Sequence, residues 1–181
     1  MQRPIKLLLG LAAAVTLAAM VALGPAALAG TANVLEFDTM TPVTGPFVAQ
    51  SAFNCPNAGT ATIRDLTGGG LPWVVQRAKG DLRGDGSLKI EVTGLVLADQ
   101  PCVPAALRGT NPVPAFKGLV SCLSIDAAGN AVTVDTTTAT FPASPQGDAD
   151  IEGTVSLPRP CLAPIVFVTS PANQWFATTG M

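Results

Sequence analysis

Between residues 87 and 97, apolar Leu88, Ile90 and Val92 alternate with polar Lys89, Glu91 and Thr93. A period of two sends successive side chains to opposite faces, so this stretch reads as a strand with one buried and one wet face. A helix would repeat its apolar positions every three or four residues instead. Asp85-Gly86 just before it has the chemistry of a tight hairpin turn, because glycine accepts the positive φ that such turns require. Residues 78–83 are then the partner strand. A half-apolar hairpin must bury its apolar face against a second layer, which makes the rest of the chain the place to look for that layer.

The rest of the chain repeats the pattern. Helical periodicity is hard to find, and Gly, Pro and Asn or Asp turns break the sequence every 8–15 residues. Short strands are expected at 33–37, 46–53, 60–65, 71–75, 115–124, 132–138, 149–157 and 174–178, with 163–169 buried on both faces. Residues 99–114 hold four prolines and Cys102 and form the longest irregular stretch, read as a binding loop or a disulfide-tied connection. About nine or ten short strands point to an all-β fold, an antiparallel β-sandwich of immunoglobulin-like or jelly-roll-like type. An open β-barrel is the alternative.

Residues 1–29 read as a cleavable secretory signal peptide. Arg3 and Lys6 precede an apolar run over residues 7–23, Gly24-Pro25 breaks it, and Ala27-Leu28-Ala29 offers small residues where a signal peptidase reads them. Cleavage after Ala29 leaves 30–181 as a single domain, a signal helix having been removed. The apolar run is long enough for the alternative of an uncleaved N-terminal membrane anchor. No cysteine near the cut suggests a lipid-attached form, and no apolar tail suggests a C-terminal anchor.

Four cysteines, Cys55, Cys102, Cys122 and Cys161, fit an exported chain with two disulfides. Cys55–Cys102 with Cys122–Cys161 is the favoured pairing of the three possible, because Cys122 lies in one strand-like run and Cys161 borders another. No Cys-x-x-Cys pair supports a thiolate metal site. The chain has ten Lys and Arg, twelve Asp and Glu, no His and no Tyr. Two of the basic residues fall in the signal, so the mature part carries eight against twelve, a net charge of −4. Its charges are scattered, which argues against a nucleic-acid partner. Without His, the usual Ser-His-Asp and Cys-His mechanisms and His-containing zinc sites are excluded.

Three groups of residues could carry chemistry. Asp148, Asp150 and Glu152 share one face of a strand, where they could ligate Ca²⁺ or act as the paired acids of a glycosidase; the ordinary reading is a solvated strand face. Trp73, Trp175 and Phe176 could form a platform for a sugar ring; the ordinary reading is core packing. Arg83-Gly84-Asp85 spells a tripeptide that some animal adhesion receptors recognise, at a hairpin tip whose turn would need the same residues anyway.

The segments Gly70-Leu71-Pro72-Trp73-Val74-Val75, Asn111-Pro112-Val113-Pro114-Ala115-Phe116 and the run from Cys161 through Pro171 resemble stretches of uncharacterised small secreted bacterial β-sandwich proteins. The resemblance spans most of the mature chain. It implies an exported β-rich domain and carries no activity and no site residues. The expectation is therefore a secreted, non-catalytic module at the cell surface, in the envelope or periplasm, or outside the cell, with no cofactor. Its partner would be a protein or a glycan, and it would touch membrane only through the signal before cleavage. A carboxylate-based hydrolase and a Ca²⁺-stabilised module are the alternatives.

Overall fold

A computed structural model describes residues 32–180; the proposed signal segment, 1–29, lies outside them. Four strands, β1 (Asn33–Phe37), β6 (Arg77–Arg83), β7 (Ser87–Thr93) and β12 (Ala149–Thr154), form one antiparallel sheet in the order β1-β6-β7-β12. A second antiparallel sheet runs β10-β9-β13-β14-β2, from β10 (Ala131–Thr137), β9 (Ala115–Ile125), β13 (Leu162–Thr169), β14 (Trp175–Thr178) and β2 (Thr41–Pro42). Strand β11 (Phe141–Pro142) continues beside the start of β9. Two short ribbons complete the strands: β3 (Thr62–Ile63) with β4 (Leu66–Thr67), and β5 (Trp73–Val74) with β8 (Val96–Leu97). Among the described residues the only helical pieces are two three-residue 3₁₀ turns, at Gly45–Phe47 and Ala105–Leu107, and no sheet closes into a barrel.

The two sheets face each other across one core. Leu88, Ile90 and Val92 are buried as the alternation requires, and Leu82 and Ala78 lie opposite Leu88 and Val92 on β6. In the second sheet, Gly118 of β9 sits beneath Leu88, Ile90 and Ile151. Its missing side chain lets the layers approach closely. The other face of the four-stranded sheet is a grid of charge: Glu36, Asp81, Lys89 and Glu152 are cross-strand neighbours, and so are Lys79, Glu91 and Asp150. Lys79 and Glu91 pair at 2.6 Å. Such exposed pairs are screened by water and add little to stability, so their main effect is to keep this face in water.

Residues 46–53 were expected to be a strand and are not. Gly45 has φ +57°, and Pro46 has no N–H to give a ladder, so the chain turns at Gly45–Phe47 instead. Residues 43–70 then fold over the six-stranded sheet as a separate cover. Val43 donates to the Phe176 carbonyl at 2.8 Å and Gly69 to that of Trp175 at 2.9 Å. Phe47 and Phe167 pack on Trp175, with ring centroids 5.9 and 6.1 Å away. At the tip of the β3–β4 ribbon, Arg64 and Asp65 both have positive φ, +49° and +64°, which costs a residue with a side chain about 1–2 kcal/mol. The Arg64 guanidinium gives a compensating contact, donating to the Ser121 carbonyl at 2.5 Å and to the Ala163 carbonyl. This arginine fastens the cover to β9 and β13.

The disulfides join Cys55 to Cys102 and Cys122 to Cys161. Cys122–Cys161 links neighbouring strands, next to the Leu123–Leu162 pair of the β9–β13 ladder. Cys55–Cys102 joins the cover to the proline-rich segment 99–114, two stretches with no strand ladder between them.

Candidate functional site

That second bridge shapes the most ligand-like surface of the molecule. Trp73 enters on β5 and lies opposite Leu97 of β8. Its ring stacks on Phe176 of β14, with centroids 4.1 Å apart and planes 25° from parallel. Phe116 closes the cluster edge-on to both, at 6.4 and 5.8 Å. Over this pair passes the backbone of Gly69. A Cβ there would lie 3.1 Å from Trp73 Nε1 and from Phe176 Cδ1, closer than side chains normally come. Glycine at 69 therefore leaves the rim of the aromatic pair open.

The result is a groove of about 260 Å³ with the edges of Trp73 and Phe176 at its base. Ser51 and Phe53 from the cover form one wall, and Leu107, Pro112 and Val113 from the 99–114 segment form the other. The Cys55–Cys102 bridge spans these two segments. Phe53 is 46% exposed although nothing polar about it calls for that. No charged residue lines the groove, and Ser170 and Gln174 add polar groups at its margin. Trp175 Nε1 donates to the Leu66 carbonyl at 3.2 Å, away from the groove. The site thus offers apolar walls with a few polar groups at the margin. Drug-sized ligands usually occupy about 300–1,000 Å³, so the groove suits a compact apolar group of at most a few rings. A larger depression of about 770 Å³ lies between the β6–β7 tip and residues 154–161, but its lining mixes Asp85 and Arg159 with Val34 and Leu157 and contains no aromatic residue.

Comparison of the chain with protein-family models, with curated proteins and with solved structures finds no match.

The structure places the sequence-derived candidates unequally. Trp73 and Phe176 come together, but each covers the other's face and both are 4% exposed. A sugar needs an open ring face to stack on, and this pair presents edges. Trp175 is fully buried in the separate cluster with Phe47 and Phe167 and takes no part in the groove. Asp148, Asp150 and Glu152 are all exposed, and among the described residues no three His, Cys, Asp or Glu gather as a metal site. Asp148 is engaged as a turn cap, accepting from the Gly94 N–H at 2.9 Å. The groove residues Phe53, Gly69, Gly70, Leu107 and Val113 carried no signal in the sequence beyond a glycine run and a long loop.

Arg83-Gly84-Asp85 forms the tip between β6 and β7 and is held internally. Arg83 bonds Asp81 at 3.2 Å, the Asp85 carboxylate accepts the Ser87 N–H at 2.9 Å, and Gly86 takes φ +88°. The Ser87 backbone hydrogen bond holds the Asp85 carboxyl below its ordinary range. A carboxylate with a lowered folded pKa stabilises the fold above its unfolded pKa, and that stabilisation is lost as pH falls through the lowered value. Amide exchange at Ser87 is accordingly expected to accelerate, relative to the core amides, as the solution is acidified below the usual carboxylate range. Asp85→Asn should remove that pH dependence; an unchanged profile would show that Asp85 does not hold the tip.

Proposed function

We propose that the chain is an exported, non-catalytic β-sandwich module, of immunoglobulin-like or jelly-roll-like type, that binds an uncharged apolar group of an extracellular or cell-surface protein in the Trp73–Phe176 groove. Residues 1–29 would direct export and residues 30–181 would be the working domain. The two disulfides support this reading, since such bonds persist in oxidising compartments. So do the two facing antiparallel sheets. No helix among the described residues is long and apolar enough to cross a membrane.

The observation that carries the binding reading is the glycine ledge at Gly69 over the stacked Trp73–Phe176 pair. A side chain at this position would close the groove, whereas glycine keeps it open at a cost in backbone entropy. The lack of an open ring face favours an apolar protein side chain over a glycan. The lack of lining charge favours a neutral group, because a buried ion without a partner is strongly disfavoured.

Titration of residues 30–181 with the neutral dye N-phenyl-1-naphthylamine tests this. Saturable one-to-one binding is expected, about five-fold weaker in Phe53→Ala, since roughly half a phenyl ring's burial is lost. The anionic analogue 1-anilinonaphthalene-8-sulfonate should bind less well. Absence of saturable binding, or binding indifferent to Phe53→Ala, would contradict the reading.

A further inference from the structure

Natural sheets protect their edges, since an exposed edge strand offers unpaired N–H and C=O groups to any extended chain. Most edges in this molecule carry a recognisable device. Strand β1 is broken by a register shift between Asn33 and Leu35 and carries Glu36. Strand β12 displays Asp150 and Glu152. Strand β2 is two residues long and includes Pro42, and β11 is two residues long and includes Pro142. Strand β10 is the exception. Its seven residues, Ala131-Val132-Thr133-Val134-Asp135-Thr136-Thr137, pair with β9 in unbroken register. It has no proline, no lysine and no bulge, and five of the seven are β-branched, the type that favours strands. Among the described residues no element runs along its outer side.

We infer that β10 is the contact through which two copies of this chain associate, pairing antiparallel about a two-fold axis at Val134 and joining the two six-stranded sheets into one. The choice of a second copy follows from the sequence of the strand itself. Full antiparallel overlap of β10 with its own copy places Val134 opposite Val134, Val132 opposite Thr136 and Ala131 opposite Thr137. The one charged residue, Asp135, falls opposite Thr133. No like charges meet, and a two-fold contact requires this kind of self-complementarity. Moving the axis to residue 135 would instead set two carboxylates against each other, which is unfavourable.

Thr133 and Asp135 are both exposed, so they can be changed without disturbing the core. Sedimentation equilibrium of residues 30–181 with both disulfides intact is expected to show a concentration-dependent dimer. Thr133→Asp sets like charges opposite each other twice per dimer and should weaken it by about five-fold; Thr133→Lys sets opposite charges there and should tighten it by a similar factor. The opposed signs identify this register, because an axis at residue 133 would make both variants repel. A chain that stays monomeric up to about 1 mM would overturn the inference and leave the edge to a different protein. A dimer that neither substitution moves, or that both weaken, would overturn it as well.

Discussion

Reduction of both disulfides is expected to unfold residues 30–181 at physiological temperature. The bridges close loops with sequence separations of 47 and 39 residues. The chain-entropy model assigns loops of that size about 4 kcal/mol each, and a whole domain has only about 5–15 kcal/mol to lose. Removing one pair should leave a folded protein whose urea midpoint falls by about 2 M, taking a slope of roughly 2 kcal/mol/M. The two pairs should differ in kind. Cys122 is fully buried in β9, so Cys122→Ala with Cys161→Ala also leaves a void in the core and should cost more stability. Cys55–Cys102 ties the two walls of the groove, so Cys55→Ala with Cys102→Ala should weaken dye binding well beyond its effect on folding. Urea curves and dye titrations of the two double variants measure both quantities. Equal loss of binding in each would show that the bridge does not shape the groove.

Trp175→Ala is expected to destabilise the fold by about 3–5 kcal/mol, the usual cost of emptying a large aromatic site. Trp175 is 0% exposed, contacts Phe47 of the cover and Phe167 of β13, and gives its indole N–H to the Leu66 carbonyl. Its loss unseats the cover and leaves that carbonyl unpaired. Trp175→Phe keeps most of the volume and removes the hydrogen bond, so it should cost about 1 kcal/mol. Thermal or urea unfolding reads both. A Trp175→Ala loss below about 1 kcal/mol would mean that the cover is not anchored at this point.

How much of this was legible in the sequence depended on how local the signal was. The β6–β7 hairpin was readable because alternation and the Asp85-Gly86 turn lie within a dozen residues of each other. Strand β10 was readable from its run of β-branched residues, and β13 from its apolar run, although only Val166–Thr169 are buried on both faces. The span 46–53 looked like a strand because Phe47, Val48 and Phe53 are apolar, but those side chains serve a cover that packs on a distant sheet. Nothing near residue 47 in sequence announces Trp175. The short strands β2, β4 and β11 escaped notice because two residues carry no periodicity. Of the three aromatics singled out together, Trp73 and Phe176 meet while Trp175 lies in a separate cluster, and the sequence could not tell an open ring face from a stacked one. The groove itself is made by residues from four separate stretches of chain, so only its glycine run and its long loop left a local trace. The Arg64 clamp was invisible because its acceptors are backbone carbonyls 57 and 99 residues away.

The central claim, that the groove receives an apolar ligand at Trp73, can be read directly because the chain has two tryptophans. Their indole N–H signals in a ¹⁵N correlation spectrum separate the groove from the core. As N-phenyl-1-naphthylamine is added, the Trp73 indole signal should shift progressively to saturation while that of Trp175, bonded to Leu66, stays in place. A Trp73 signal that does not move, or a shift of both signals together, would contradict the account.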